Sequence, residues 1–199
     1  MTDEQLSLCK QQNHAAFELL VREFSPQVYG VSLSMMGNEH DAKDAAQEAF
    51  IKIYQSISRF RGESALQTWI YRITVNACKD ILRRRNRYIS LGEEDEAALF
   101  SKEDEAPGPE EMVVSAERAR EVRLGIAALP TEYKICIFLR DMKGLPYAEI
   151  AMILDCPINT VKSRISRARR LLLKRLSENR KLFAGKKCLQ KEEDERHEV

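Results

Sequence analysis

Basic and hydroxyl side chains recur near the end of the chain, in a combination that suits contacts with duplex DNA. Arginine and lysine can donate hydrogen bonds to guanine edges in the major groove, and serine can bond either a base or a phosphate. The residues concerned are Lys162, Ser163, Arg164, Ser166 and Arg167. We therefore treat this stretch as a candidate surface for reading a duplex.

A second group, in the first half of the chain, mixes aromatic, amide and basic residues. Trp69 and Tyr71 could stack on unpaired bases, Asn76 could bond a base edge, and the neighbouring arginines and lysines could hold the backbone. The group predicts contact with a single strand. The alternative is that Trp69 and Tyr71 are core residues of an ordinary helix.

The duplex-reading candidates lie on a predicted helix with one apolar face. Its apolar residues follow one another at intervals of three and four and form a stripe: Ile158, Val161, Ile165, Ala168 and Leu172. A shorter helix precedes it after Pro146, and Asp155-Cys156-Pro157 separates the two. This order predicts a helix-turn-helix, whose second helix enters a major groove. A solvated basic face on an ordinary core helix would give the same pattern.

The single-strand candidates lie on another predicted helix, which runs from Leu66 to Arg85 after a polar break at Arg61-Gly62-Glu63-Ser64. A helix opening near Asp41 precedes the break. It turns alanine and isoleucine inward and leaves a polar outer face: Asp44, Gln47, Glu48 and Lys52. That face is either merely solvated or a docking surface for a protein partner. Before it, the pattern predicts helix from 4 to 35, with a new helix starting at Ser25-Pro26.

Charge is distributed in blocks along the 199 residues, although the net charge is only +1. Residues 61–90 carry +5, residues 91–121 carry −8, and residues 157–187 carry +10. The acidic block contains Pro107-Gly108-Pro109 and predicts a flexible linker. No stretch alternates as a strand would. We therefore expect an all-α protein of two small helical domains, 1–90 and 118–180, joined by an acidic linker at 91–117 and followed by a charged tail at 181–199.

Cysteine and histidine usage argues against several classes of site. The five cysteines are scattered without a CxxC pair, and the three histidines lie far apart, so neither a disulfide framework, a metal site nor a cofactor is predicted. No apolar run is long enough to cross a membrane and the first residues are polar, which favours a cytoplasmic protein without membrane insertion. An enzyme is the least favoured class, because GxSxG, HExxH and phosphate-loop patterns are missing.

Four stretches, in this order and at these separations, resemble the extracytoplasmic-function (ECF, group 4) sigma factors of bacterial RNA polymerase. They are DAKDAAQEAFIKIYQSISRFRG, TWIYRITVNACKDILRRR, TEYKICIFLRDMKGLPYAEIAMIL and CPINTVKSRISRARRLL. The helix-turn-helix alone occurs in many regulators, whereas DAAQEAF followed by a TWIYRI-type segment is far more specific. The resemblance implies an alternative sigma factor that binds the polymerase core and recognises the −10 and −35 promoter elements, together with an anti-sigma partner.

The resemblance also implies a role for each matching residue. It assigns docking on the β′ clamp helices of the core to Asp44, Gln47, Glu48 and Phe50. It assigns capture of the −10 element to the loop residues Arg61, Gly62, Glu63 and Ser64 and to Trp69, Tyr71 and Asn76 on the adjoining helix. Recognition of the −35 element falls to Lys162, Ser163, Arg164, Ser166 and Arg167, in the domain that also binds the β-flap.

Some positions depart from the family pattern. Asn159 stands where glycine is common, Ser166 is short for a base contact, and Asp80 places a carboxylate on a surface expected to favour DNA. Two rival interpretations also remain open at this point. The first is a stand-alone helix-turn-helix regulator, which would leave the Asp41–Arg85 stretch without a role. The second is a sigma-like scaffold, which would still bind its protein partner but would no longer bind promoter DNA.

Overall fold

The first module consists of four helices and one short turn. The computed structural model describes residues 1–90 and 120–178. In the first of these ranges the elements are α1 (Asp3–Lys10), α2 (His14–Met36), α3 (Glu39–Ser56), a 3₁₀ turn (Ile57–Arg59) and α4 (Leu66–Ser90). Asparagine side chains cap α2 and α3 at their amino ends, and Gly37 ends α2 in the left-handed conformation at φ +83°.

Ser25-Pro26 does not start a new helix, and the predicted break is wrong. Helix α2 runs unbroken from His14 to Met36 with Pro26 inside it and exposed to solvent. A proline in a helix interior removes one backbone hydrogen bond and crowds the preceding turn, at a cost of about 3 kcal/mol. The buried neighbours Phe24 and Val28 both belong to the apolar core on the far side of the helix. Their burial offsets that cost, so packing overrides the local signal.

The second module is also helical wherever it is described. It comprises α5 (120–127), α6 (Thr131–Ile137), a π-helical turn (Phe138–Met142), α7 (Tyr147–Leu154) and α8 (Ile158–Glu178). Asp155 ends α7 in the left-handed conformation at φ +52°, and Pro157 immediately precedes α8. This confirms the predicted helix-turn-helix and, for the described residues, the all-α fold. The predicted linker and tail, 91–117 and 181–199, lie outside the described residues.

Two large apolar clusters hold the described residues together. One lies within the first module and includes Leu20, Ile53 and Ile70. The other is shared: it joins Tyr71 and Val75 of α4 and residues of α2 and α3 to the buried faces of α6, α7 and α8. The two modules therefore pack against each other in this structure. The sequence had left their relative placement open, because a long linker permits contact and separation equally.

Candidate nucleic-acid interface

A pocket of about 430 Å³ lies beside α4, at the surface predicted to meet a single strand. Its lining is formed by Ser56, Arg59, Trp69, Arg72, Ile73, Asn76 and Asp155. Trp69 and Asn76 are seven residues apart, close to two helical turns, and therefore share one face of α4. The structure thus brings together two of the predicted −10 residues. It adds two arginines that were not among the predicted site residues.

The pocket combines the groups that a single nucleotide needs. Trp69 is half-buried, and its ring packs against Phe60 with the ring centroids 5.2 Å apart at 51°, which restricts the orientation of the indole. The Asn76 amide is exposed and can both donate to and accept from a base edge. The guanidinium groups of Arg59 and Arg72 supply positive charge for a phosphate. Arg72 lies between Trp69 and Asn76 on the helix, so its i+3 spacing from Trp69 could have identified it from sequence.

The loop predicted to capture the −10 element lies outside this pocket and begins two residues after Arg59, which lines it. Arg61, Gly62 and Glu63 are exposed, Ser64 is half-buried, and none of the four lines the pocket. Gly62 adopts φ +76°, a left-handed conformation that a side chain would strain. The loop follows directly from Phe60, whose ring contacts Trp69. The loop is therefore anchored beside the pocket, while the side chains of Arg61 and Glu63 face solvent.

Tyr71 occupies a different environment from Trp69 and Asn76. Its side chain is 0% exposed, it belongs to the cluster shared by the two modules, and its hydroxyl accepts a hydrogen bond from Gln67 Nε2 at 3.0 Å. Burial raises the pKa of the Tyr71 phenol, and the Gln67 hydrogen bond opposes that shift. In this arrangement Tyr71 offers no ring face to DNA, so its predicted −10 contact does not fit the structure. The core interpretation fits.

The predicted docking residues lie on the outer face of α3. Asp44 and Gln47 are exposed, Glu48 is half-buried, and the exposed Ile51 adjoins them one turn on. Phe50 differs, because its half-buried side chain packs against the core of the first module. The structure therefore brings together a small polar face with one apolar residue on it, and it places Phe50 beside that face.

Lys52 pairs with the Asp80 carboxylate, on the side of α4 that is predicted to face DNA. Its ammonium donates to Asp80 Oδ2 at 2.8 Å and lies 3.7 Å from Glu48 Oε1. The hydrogen bond from Lys52 holds the pKa of the Asp80 carboxyl below its usual value, with the nearby Arg83 and Arg84 acting in the same direction. Asp80 is therefore a paired anion that ties α4 to α3. It opposes DNA binding less than an isolated carboxylate would.

Helix α8 presents most of the predicted −35 residues to solvent. Lys162, Ser163, Ser166 and Arg167 are exposed, while Val161, Ile165 and Ala168 are buried on the opposite side. The Ser163 hydroxyl donates to the Thr160 carbonyl at 2.9 Å, which leaves its oxygen to act as an acceptor. A basic face backed by a buried stripe is the geometry that a recognition helix requires.

Arg164 is turned toward its own module. Its guanidinium donates to Glu132 Oε2 at 3.1 Å, and its side chain is 28% exposed. Arg169 forms a similar link, with two hydrogen bonds to Asp141 at 2.7 and 3.4 Å. These two arginines flank the buried stripe and fix the orientation of α8 on α6 and the π-helical turn. The structure thus shows a contact of Arg164 within its own module, and its DNA contact stays a prediction.

The buried cysteines do not form a reactive site. Burial raises the pKa of the Cys78 thiol and of the Cys136 thiol to about 11, so both are protonated at neutral pH. Among the residues that the structure describes, no group of histidine, cysteine and acidic side chains is arranged to hold a metal ion. In the same ranges, no helix combines the length and the hydropathy that crossing a bilayer requires.

Two family models match the chain, one in each module. Sigma-70 region 2 matches residues 20–88, and Sigma-70, region 4 matches residues 119–172. The ECF RNA polymerase sigma-E factor of Haemophilus influenzae is 39% identical over 178 residues, which cover 86% of this chain and 94% of that protein. The chain belongs to the ECF sigma-70 family. This confirms the predicted resemblance.

A second relative supports the same family assignment. The ECF RNA polymerase sigma-E factor of Escherichia coli K12 is 41% identical over 159 residues, covering 77% of this chain and 83% of that protein. Two solved structures share the fold at 22% identity each. The Bartonella quintana sigma factor RpoE, solved with the anti-sigma factor NepR, has a TM-score of 0.68 and covers 81% of this chain and 96% of that one. CnrH, solved with the cytosolic domain of CnrY, has a TM-score of 0.62 and covers 88% and 96%.

Proposed function

We propose that this chain is an alternative sigma factor that binds RNA polymerase core and directs initiation at promoters carrying matched −10 and −35 elements. The observation that supports the proposal is the presence of two different surfaces in one chain whose side chains suit nucleic acid. One is the pocket lined by Trp69, Asn76 and two arginines, and the other is the exposed basic face of α8. A stand-alone duplex binder would use the second surface and have no need of the first.

The two surfaces divide promoter recognition between them. Unstacking a −10 base costs a few kcal/mol, and stacking of that base on Trp69 offsets roughly 1–3 kcal/mol of this cost. Arg59 and Arg72 hold the adjoining phosphates. The α8 face reads the −35 duplex, where each bidentate contact is worth about 1–3 kcal/mol against the wrong base. Neither surface suffices alone, so the polymerase supplies the spacing and the effective concentration that join them.

The function is tested by run-off transcription. Purified core polymerase with this chain should start transcripts at discrete sites in a promoter library, and core alone should not. A chain that leaves start-site choice unchanged would contradict the proposal. A gel shift on duplex DNA without polymerase, together with inactivity in the transcription assay, would instead identify a stand-alone regulator.

Loss of charge on the outer face of α3 should weaken binding of the core. We expect Asp44→Asn and Glu48→Gln each to reduce the affinity for core polymerase roughly five- to tenfold, because both side chains would lie in the interface as anions. Glu39→Gln is the matched control, since Glu39 is on the same helix and 68% exposed but lies toward another side. Core affinity is measured by titration of a labelled sigma factor. Equal affinities for all three variants would refute the docking assignment.

Partners of two further kinds follow from the proposed function. The second module would also contact the β-flap of the polymerase, because it must hold the −35 element beside the enzyme. An anti-sigma factor is proposed as a regulatory partner, supported by the two similar sigma factors that were solved with anti-sigma proteins. A role in transcription also supports a cytoplasmic location for the protein.

A further inference from the structure

Helix α1 lies beside the Trp69 pocket, although it precedes the segment 20–88 that matches Sigma-70 region 2. A capping box formed by Thr2 and Gln5 fixes the start of the helix. Near its end, Cys9 is 0% exposed and belongs to the core of the first module. The helix also packs against the 3₁₀ turn that carries Arg59 of the pocket. Helix α1 is therefore a fixed part of the first module, and its last residue has a defined position.

Lys10, the last residue of α1, is held close to the pocket by an aromatic ring. Its ammonium lies 5.4 Å from the centroid of the Phe60 ring, and the centroid of that ring lies 5.2 Å from that of Trp69. The ammonium is thus no more than about 11 Å from the indole, which is about three nucleotide steps at 3.4 Å each. A strand with one base stacked on Trp69 can therefore place a phosphate at Lys10.

No carboxylate neutralises Lys10 within residues 1–90 and 120–178. In these ranges its half-buried side chain contacts the face of Phe60, and its ammonium forms neither a hydrogen bond nor an ion pair. Lys52, on α3, differs because its ammonium bonds Asp80 at 2.8 Å. An aromatic face attracts a cation without cancelling its charge. The charge of Lys10 is therefore available to an anion from outside the module.

The position of Lys10 complements the arginines near the pocket. Arg59, Arg61 and Arg72 are exposed and come from the 3₁₀ turn, the loop and α4. Lys10 adds a cation from a further element, α1. A single strand carries a phosphate on every nucleotide, so cations on several sides of a stacked base can hold the backbone on both sides of it.

We propose that Lys10 binds a backbone phosphate of the −10 strand, close to the base that stacks on Trp69, and that α1 thereby forms one wall of the strand path. The identity of the strand rests on the proposed function. Lysine binds phosphate as a point charge, and phosphate contacts carry no sequence information. Lys10 therefore adds affinity for every strand and does not discriminate between bases.

The role of Lys10 is tested by titrating the full chain with single-stranded DNA at several salt concentrations. Trp69 is the only tryptophan in the chain, so its emission records a strand that stacks there. The probe is a pool of random DNA strands of about 12 nucleotides, added without polymerase. Lys10→Met removes the charge and keeps an apolar stem on Phe60, whereas Lys10→Arg keeps the charge.

Lys43→Met is the matched control for the loss of one positive charge. Lys43 belongs to the same module and its side chain is 67% exposed. It precedes Ser56, the pocket residue of α3, by thirteen positions, or about 20 Å along the helix axis. The control therefore changes the net charge of the module by the same amount at a place distant from the pocket.

Loss of one phosphate contact should weaken strand binding and reduce its dependence on salt. For Lys10→Met we expect the slope of log affinity against log salt to shrink by about 0.7, the value for one phosphate of a single strand. The same contact corresponds to a midpoint about fivefold higher at 0.1 M salt. Lys10→Arg and Lys43→Met should both keep the wild-type midpoint and slope.

A wild-type midpoint and slope in Lys10→Met would overturn the phosphate contact. A raised midpoint with an unchanged slope would overturn it as well, because that combination marks a structural role of the side chain on Phe60. So would a wild-type chain whose emission does not respond to the strands. These results leave the proposed function standing, since the titration contains no polymerase. Conversely, a chain that fails to direct transcription would refute the proposed function, while the titration still decided the role of Lys10.

Discussion

Replacing Tyr71 by alanine should lower the free energy of unfolding by about 3–5 kcal/mol, the range for removing a large buried aromatic side chain. The ring is fully buried in the cluster that joins the modules, so truncation leaves a cavity lined by residues of both. Tyr71→Phe keeps the ring and loses only the hydrogen bond from Gln67. We expect it to cost about 1 kcal/mol.

Urea denaturation followed by circular dichroism measures both changes, and strand binding at Trp69 provides the second readout. Tyr71→Phe should bind a single strand as the wild type does, because Tyr71 lies about 200° around α4 from Trp69. Unchanged stability together with weakened strand binding in both variants would contradict the core role. It would restore Tyr71 to the DNA-contacting group.

The sequence contained enough information to separate Tyr71 from its neighbours. Trp69 and Asn76 are seven positions apart and share a face of α4, whereas Trp69 and Tyr71 are only two positions apart and therefore point to different sides. The helical period places Trp69, Arg72 and Asn76 on one face of α4 and Tyr71 on another. Residue type alone groups Tyr71 with Trp69, because both are aromatic.

Elements with strong local signals were predicted well. The helix-turn-helix depends on Pro146, on the break at Asp155-Cys156-Pro157 and on an apolar stripe, and all of these act within a few residues. The break at Pro26 failed because the opposing effect, packing of α2 on α3 and α4, is not local. Helix-breaking propensity is a weak guide when the flanking turns are buried.

The association of the modules could not be predicted, because it depends on contacts between residues distant in sequence. Thr68 contacts Glu149, and Gly30 packs against Phe138, across at least 80 intervening residues in each case. Neither pair has a pattern that periodicity or composition detects. Gly30 was the only local indication of a close approach, because it lies in the middle of α2, where no turn requires glycine. The structure shows that the group approaching it is the ring of Phe138.

Arg167, on the exposed face of α8, is the residue whose replacement should change promoter choice most. Replacing Arg167 by alanine should lower discrimination at one −35 base pair by about 1–3 kcal/mol, because its exposed guanidinium can donate two hydrogen bonds to one guanine. Arg164 is the informative comparison on the same helix. Its bond to Glu132 turns it from the groove, so Arg164→Ala should weaken all sites to a similar, smaller extent by loosening α8.

Competition transcription with holoenzyme on promoters that differ at single −35 positions distinguishes these outcomes. Arg167→Ala should flatten the preference at one position and leave the others intact, whereas Arg164→Ala should keep every preference in rank order. A uniform loss for Arg167→Ala, accompanied by a salt slope smaller by about one, would show that Arg167 binds a phosphate. Base reading would then have to come from Lys162, Ser163 and Ser166. Of these only Lys162 is a long donor, so the specificity of α8 would be correspondingly weak.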